Sequence, residues 1–321
     1  MTGRPLRVAA AAFAVLLTSV STDAWAQEPL RLAIGARGNW ETAAAELGRN
    51  AGMFQRHGLA LDILYTQGSG ETQQAVIAGS ADIGVGLGTT AVMAAFAKGA
   101  PLRVIANAST GSSEFWYVRA DSPVMSLRDA GGRTIAYSTT GSSSHIEVLG
   151  FIKQYGIDAK PVATGGTAAT FTQVMSGQID VGWSSPPFGL DAAREGKIRI
   201  VARGSELPAI RDQTIRVIAA NAAFLQARRD TAARFVQAYR EAIEWMYADP
   251  AALSAYAAFA GVPESTARQV RDEFYPHEGL KPDRTSGLDS VMADGLTFKY
   301  LSAPLSTAQL KELFQVPPAQ N

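Results

Sequence analysis

Apolar residues along this chain follow two spacings in turn: short β-branched runs, and longer stretches with an apolar position every three or four residues. Leu30–Gly35 and Leu59–Tyr65 are runs of the first kind and predict strands. Thr42–Gln55, between them, predicts a helix, with Gly58 as the stop signal. Because strands that alternate with helices are typical of parallel sheets with crossover helices, the pattern predicts an α/β protein.

The alternation continues through the first two thirds of the chain. The further predicted strands are Ala81–Val85, Arg103–Ala108, Phe115–Arg119, Arg133–Ser138, Lys160–Thr164 and Arg216–Ala220. The predicted helices between them are one ending at Ala78, Val92–Ala97, His145–Tyr155 and one ending at Ser176. After Arg216 the chain is mostly helical, with Ala232–Ala248, Pro250–Ala260 and Glu264–Phe274 as candidates. This part has too few strands for another sheet, so we expect it to pack on the first one.

One segment recurs at the same distance after a glycine-rich turn. Gly79–Gly84 (GSADIG) matches Gly177–Gly182 (GQIDVG), and each is preceded by a predicted helix. The repeat predicts two similar lobes that face one another. Asp82 and Asp180 occupy the same place in both copies, which favours a structural task, such as receiving backbone N–H groups.

The first 26 residues have the pattern of a cleaved secretory signal peptide. Arg4 and Arg7 precede an apolar run, Val8–Val20, which ends before Ala24-Trp25-Ala26. Removal of residues 1–26 would leave 295 of the 321 residues, enough for two ordinary domains. The chain has no cysteine, so we expect neither disulfide bonds nor a lipid anchor on a cysteine.

The charge balance argues against nucleic acid as a partner. Lys and Arg together number 29, as do Asp and Glu, and no run of like charge interrupts the chain. Binding to duplex nucleic acid usually requires a basic stripe that neutralises phosphates. A small-molecule ligand is the partner that the sequence favours.

Four segments, in this order and spacing, resemble a known family: Asn50–Phe54, Gly79–Gly84, Tyr137–His145, and Gln178–Val181 leading to Trp183. The chain resembles the type II periplasmic binding proteins of ABC importers over essentially the whole of its length after the leader. The nearest branch is the nitrate/sulfonate/taurine and thiamine-precursor one (NMT1/THI5-like).

The resemblance implies a two-lobe fold, each lobe a mainly parallel sheet flanked by helices, with the ligand in the cleft between lobes. It places lobe 1 at residues 27–117, lobe 2 at 118–216 and a mostly helical return to lobe 1 at 217–321. The two crossing segments are expected near Val118–Asp121 and Arg216–Ala219. It also implies a monomer in the periplasm that closes on a small, anionic organic ligand such as a sulfonate or carboxylate. The ligand would pass to an ABC permease in the inner membrane, and no cofactor is expected.

Ligands of open α/β sheets bind outside the carboxyl ends of strands, so the loops that follow strands are the candidates. Ser138–Ser144 offers hydroxyls and free N–H groups at a helix N-terminus, which favours an anion, although a serine N-cap on an exposed helix has the same sequence. Arg37 could clamp the acidic group, and Trp40 and Trp183 could cover an apolar part. Each aromatic residue could equally fill the core, as we expect for Trp116 and Tyr117. The candidate ligand-binding residues are Arg37, Trp40, Ser69, Gly70, Thr89, Thr90, Ser138, Thr140, Gly141, Ser142, Ser143, His145, Trp183 and Ser184.

The residue inventory argues against an enzyme. The sequence has no Cys nucleophile, no Gly-x-Ser-x-Gly elbow, no His-Glu-x-x-His motif and no phosphate loop. His57, His145 and His277 lie in unrelated contexts, which predicts no metal site. Three other binders stay open: a pyrimidine or thiamine-precursor binding protein, the solute-sensing input of a membrane receptor, and a capture protein for a non-ABC carrier.

Overall fold

A computed structural model describes residue 3 and residues 27–316 of the chain. The predicted signal peptide lies outside these residues, Gly3 excepted. None of the described helices combines the length and the apolar character that a membrane span requires.

Residues 27–316 contain ten strands and thirteen α-helices, joined by loops and short helical turns. The strands are β1 Glu28–Gly35, β2 Leu59–Thr66, β3 Ile83–Gly88, β4 Leu102–Thr110, β5 Phe115–Arg119, β6 Thr134–Tyr137, β7 Lys160–Ala163, β8 Gly182–Ser184, β9 Ile198–Arg203 and β10 Thr214–Asn221. The α-helices are α1 Trp40–Asn50, α2 Met53–Arg56, α3 Ser69–Ile77, α4 Thr89–Ala97, α5 Ser143–Tyr155, α6 Thr167–Met175, α7 Leu190–Arg194, α8 Ala222–Ala227, α9 Arg229–Ala248, α10 Pro250–Ala260, α11 Glu264–Gln269, α12 Leu288–Thr297 and α13 Thr307–Leu313. A π-helical turn, Val270–Phe274, continues α11.

The first sheet has the strand order β2-β1-β3-β10-β4. β1 pairs parallel with β2 and β3, whereas β10 runs antiparallel to both β3 and β4. Side chains of β1 alternate between two apolar cores: Leu32 and Ile34 join the core that contains Phe235 of α9, and Ala33 joins the core that contains Met93 of α4. Helices therefore cover both faces of this sheet, as parallel strands require.

The strands β5 to β9, which we call the second half of the fold, repeat the strand order of the first sheet, which belongs to the first half. β6 pairs parallel with β7, and β5 pairs antiparallel with β8 and β9. A parallel bridge between Ile135 and Val181 joins β6 to the start of β8, which gives the order β7-β6-β8-β5-β9. Each half thus has one antiparallel strand among parallel ones, and the predicted α/β fold with two mainly parallel sheets is confirmed.

Two predicted elements differ from the structure, and one strand was not predicted. The helix expected over Thr42–Gln55 is divided into α1 and α2, because Gly52 between them has a left-handed backbone (φ 73°). The sequence pattern did not predict β9. Phe115–Arg119, expected to complete the first lobe, pairs with β8 and β9 instead, so we propose that the crossings are residues 111–114 and 204–213.

Asp82 and Asp180 have the structural task that the repeat predicted. Each carboxylate precedes the third strand of its half and accepts a backbone N–H from the first strand. Asp82 Oδ2 lies 3.0 Å from Arg31 N, and Asp180 Oδ2 lies 2.9 Å from Thr134 N. Trp116 and Tyr117 are fully buried, as expected.

Replacing either aspartate by alanine should destabilise the protein. Asp82→Ala or Asp180→Ala leaves a strand N–H without its charged acceptor, so we expect each to lower the free energy of unfolding by about 1–3 kcal/mol in urea denaturation. Asp230→Ala is the control, since Asp230 is exposed and forms only a surface ion pair with Arg234. A loss no larger than that of the control would contradict the assigned role.

Candidate ligand cavity between the two halves

A cavity of about 580 Å³ lies between the two halves. Its walls are loops that follow strands: Gly35–Asn39 and Tyr65–Ser69 from the first half, Gly166–Ala169 and Pro187–Gly189 from the second. This volume lies within the range of small-molecule sites, roughly 300–1,000 Å³. The cavity is therefore at the place where open α/β sheets bind ligands.

The two halves touch directly around this cavity. Asn39 Nδ2 donates to Ser185 Oγ at 3.1 Å, and Gly70 N donates to Thr139 Oγ1 at 3.3 Å. At Gly88 the backbones come so close that an added Cβ would lie 2.7 Å from the carbonyl oxygen of Gly141. Backbone approach of this kind requires glycine.

Six of the predicted ligand-binding residues line the cavity. They come from both halves, and they comprise one cation, four hydroxyls and one indole. They are Arg37, Ser69, Ser138, Ser142, Ser143 and Trp183. All four hydroxyls also have partners within the protein. Ser69 Oγ accepts from Gly88 N at 2.8 Å, and Ser142 Oγ caps α5 through His145 N at 3.3 Å. Ser138 Oγ lies 3.1 Å from Ser144 Oγ, and Ser143 Oγ accepts from Arg216 Nε at 3.1 Å.

The remaining predicted residues do not line this cavity. They are Trp40, Gly70, Thr89, Thr90, Thr140, Gly141, His145 and Ser184. The indole of Trp40 is fully buried and donates to Tyr247 Oη at 3.0 Å, so it is a core residue. Thr89 and Ser184 donate their hydroxyls to backbone oxygens, of Thr214 and Phe188 respectively.

The neighbours of His145 hold its ring in place, and the residue does not line the cavity. Its ring stacks on Tyr137 at 3.9 Å between centroids, and its Nδ1 accepts from Gly141 N and contacts Tyr300 Oη. Burial lowers the pKa of His145 to about 4. A neutral imidazole provides no positive charge for an anion at neutral pH.

Aromatic side chains form one wall of the cavity. Trp183 is held by its Nε1, which donates to Thr164 Oγ1 at 3.2 Å. Phe171 and Phe188 meet edge to face, with ring centroids 5.9 Å apart. Phe188 remains 36% exposed, which is high for a phenylalanine, so this wall offers apolar surface to a ligand.

Arg37 provides an unpaired positive charge at the opposite wall. Its guanidinium lies 4.5 Å from the ring centroid of Phe259 and 5.8 Å from that of Tyr65. It forms no ion pair within residues 27–316. The preceding residue, Ala36, has φ 57°, an uncommon conformation for a residue with a Cβ and one that clusters at functional sites.

A buried ion cluster that the sequence analysis missed lies at the floor of the cavity. Arg216 of β10 binds Glu41 of α1 through Nη1, Glu114 through Nη2 at 2.7 Å, and Ser143 Oγ through Nε at 3.1 Å. Arg216, Glu41 and Glu114 are 7%, 1% and 2% exposed. One sequence signal was available, because Arg216 is the only charged residue in an apolar strand.

A third buried carboxyl, that of Glu147 in α5, lies beside Glu114. Burial and the proximity of the two carboxyls raise the pKa of Glu114, and burial raises that of Glu147 to about 7. The pair therefore retains one proton near neutral pH. The two carboxyls share this proton, with Glu114 also bound to Arg216 at 2.7 Å and Glu147 also accepting the hydroxyl of Ser112 at 2.7 Å.

Because Arg216 is already bound by carboxylates, Arg37 is the cation that remains available to a ligand in the cavity. Arg216 is matched by two carboxylates, so it contributes little positive potential to a ligand. Among residues 27–316, the cationic side chains that line the cavity are Arg37 and Arg216. No group of acidic, histidine or cysteine side chains in this part of the chain is suited to a metal ion.

The shared proton predicts that stability depends on pH. The pKa of Glu147 rises from its ordinary value of 4.5 to about 7 on folding. Stability should therefore be greatest below about pH 4.5 as far as this group is concerned, and should fall by on the order of 3 kcal/mol as the pH rises from about 4.5 to about 7. Glu147→Gln, which is neutral at every pH, should reduce this slope in urea denaturation at several pH values.

Glu195→Gln is the control for this measurement. Glu195 is exposed and pairs with Lys197 in the same half. It should leave the pH slope unchanged. Equal slopes for the wild type and Glu147→Gln would contradict a proton shared by Glu114 and Glu147.

The chain is similar to one protein family and to several solved structures. The family model described as NMT1/THI5 like matches residues 41–253. The search of curated proteins finds no match. Among solved structures, the alkanesulfonate-binding protein SsuA from Xanthomonas axonopodis pv. citri, bound to MOPS, is 19% identical with a TM-score of 0.71, and the alignment covers 84% of this chain and 90% of that one.

Two further structures show how widely the fold is used. The periplasmic nitrate-binding protein NrtA from Synechocystis PCC 6803 is 13% identical, with coverage of 89% of this chain and 86% of that one and a TM-score of 0.72. The desulfurization enzyme DSZB is 18% identical, with coverage of 91% and 96% and a TM-score of 0.64. At these identities the likeness shows the fold, which is that of the periplasmic binding proteins. Since the family model spans most of the chain, this protein belongs to the NMT1/THI5-like family.

Proposed function

We propose that this protein is the periplasmic solute-binding component of an ABC importer and that it captures a small organic anion. The observation that carries the proposal is the 580 Å³ cavity between two halves, with an unpaired guanidinium on one side and an aromatic wall on the other. Membership of the NMT1/THI5-like family supports it, as do the relatives of this fold that are named for binding alkanesulfonate and nitrate.

The cavity favours an organic anion over a bare inorganic one. Arg37 would bind a sulfonate or carboxylate group, with hydroxyls such as that of Ser138 completing the hydrogen bonds. Phe171, Trp183 and Phe188 would cover an alkyl or aryl part. A bare inorganic anion would leave this apolar wall in contact with water.

Ligand binding would be coupled to closure of the two lobes. Contacts between halves, such as Asn39 with Ser185 and Arg216 with Ser143, would form in the closed state and stabilise it when ligand fills the gap. A ligand that contacts both halves has greater affinity for the closed state and shifts the population towards it. The closed monomer would then dock on its permease in the inner membrane, after export directed by the predicted signal peptide.

The fold alone does not separate a binder from an enzyme, because a desulfurization enzyme shares it. The side chains favour a binder. The chain has no cysteine, and each of its three histidines is engaged away from the cavity, by Glu241, Tyr300 and Glu244 respectively.

The first test is calorimetry of the protein without its predicted leader against alkanesulfonates, aromatic carboxylates, nitrate and pyrimidines. We expect an organic anion to bind and to be recovered unchanged. Arg37→Gln should weaken binding by about 10–100-fold, equivalent to about 1.4–2.7 kcal/mol, because it removes the charged partner. The melting temperature should stay the same, since Arg37 is exposed.

Arg56→Gln is the matched control, because Arg56 is an exposed arginine of the same half that does not line the cavity. It should leave the affinity unchanged. Tight binding of a neutral pyrimidine with no response to Arg37→Gln would reject an anionic ligand. Conversion of the ligand to a product would reject the binder in favour of an enzyme.

The aromatic wall predicts a dependence on ligand length. Phe188→Ala removes exposed apolar surface, so affinity for octanesulfonate or an aryl carboxylate should fall by about 3–10-fold, whereas affinity for methanesulfonate should be unaffected. Met125→Ala, which truncates an exposed apolar residue that does not line the cavity, is the control. Equal losses for long and short ligands would show that the wall does not contact the ligand.

A further inference from the structure

A second cavity, of about 180 Å³, lies where the chain crosses between the two halves. One wall is Ser109–Glu114, which runs from the end of β4 towards β5. The other walls are Arg203, Ser205 and Arg211, which precede β10, and part of Glu273–Leu280. We call it the crossing cavity. Glu114 lines both this cavity and the ligand cavity, so the two are separated by the ion cluster around Arg216.

Two arginines give the crossing cavity a positive lining. The guanidinium carbon of Arg203 lies over the ring of Phe274, 4.7 Å from its centroid, and Arg211 is exposed. Neither forms an ion pair within residues 27–316. Of the two acidic residues in the lining, Glu114 is already bound to Arg216, and Glu273 is exposed. The guanidiniums are thus available to a ligand.

Hydroxyl groups complete this lining. The hydroxyl of Ser113 is buried and has no well-aligned hydrogen-bond partner among the described residues, although Tyr275 lies close to it. Buried polar groups are normally satisfied, so an unsatisfied hydroxyl in a cavity wall indicates a missing partner. Ser205, at the opposite side of the crossing, contributes an exposed hydroxyl.

We propose that the crossing cavity binds a small oxyanion with two negative charges, such as inorganic phosphate or a short dicarboxylate. Two guanidiniums match two charges, and serine hydroxyls donate to the remaining oxygens. The volume is below the usual range for drug-sized ligands, which excludes a bulky organic molecule. The bound anion would touch both segments that connect the halves. The proposal stands on Arg203, Arg211 and Ser113 and does not depend on which ligand occupies the larger cavity.

The test uses inorganic phosphate as the probe, in calorimetry at constant ionic strength, with the protein lacking its predicted leader. The wild type, Arg37→Gln and Arg56→Gln should bind phosphate alike, with Kd of about 1 mM or below. The double variant Arg203→Gln/Arg211→Gln should bind at least about tenfold more weakly. Arg211→Gln alone should also weaken binding, and because Arg211 is exposed this variant should fold normally.

Other outcomes would overturn the proposal. If the wild type binds neither phosphate nor malonate, the latter tested as a short dicarboxylate, the proposal fails. It also fails if the double variant leaves the binding unchanged. Binding that is lost in Arg37→Gln but kept in the double variant would place the anion in the larger cavity. The double variant should keep its affinity for the organic anion, so failure here is distinct from failure of the proposed transport function.

Discussion

Burial of one arginine at the seam between the halves constrains most of this structure. Arg216 lies near the start of β10 in the first sheet, almost without access to water, and a charge in that position requires charged partners. Its partners come from different places: Glu41 from the first turn of α1, Glu114 from the segment that begins the second half, and Ser143 from α5. Removing one partner of a buried pair typically costs about 3–5 kcal/mol, so these elements are held together.

The same cluster determines the electrostatics of the ligand cavity. Glu41 and Glu114 bind Arg216, and the Glu114–Glu147 pair keeps a proton because further negative charge without a cation would be unfavourable. A floor of this kind offers no excess positive charge. An anionic group is therefore directed to Arg37 at the loop after β1, and the remainder of the ligand to the aromatic wall of the second half.

Much of the fold could be predicted from the sequence because it depends on local periodicity and on an internal repeat. The β-branched runs, the glycine-rich turns and the paired Asp82 and Asp180 are visible in any reading of the chain, and the structure gives them the expected roles. β9 was missed since its apolar residues are separated by arginines, in the order IRIVAR. β5 was placed in the wrong sheet because a periodic pattern shows that a strand exists but not which strand it pairs with.

The site was harder to predict, because the type of a residue and its position after a strand do not determine where its side chain points. Trp40 and Trp183 were both predicted to follow strands, yet Trp40 begins α1 and points into the core against Tyr256, whereas Trp183 lies within β8 and lines the cavity. The serines of the loop after β6 divide in the same manner: Ser144 accepts the amide of Ser138 and is fully buried, whereas Ser143 reaches the cavity. Long-range partners decide each case. Arg216 shows this most clearly, because its carboxylates lie 175 and 102 residues away in sequence and only the folded sheet brings them together.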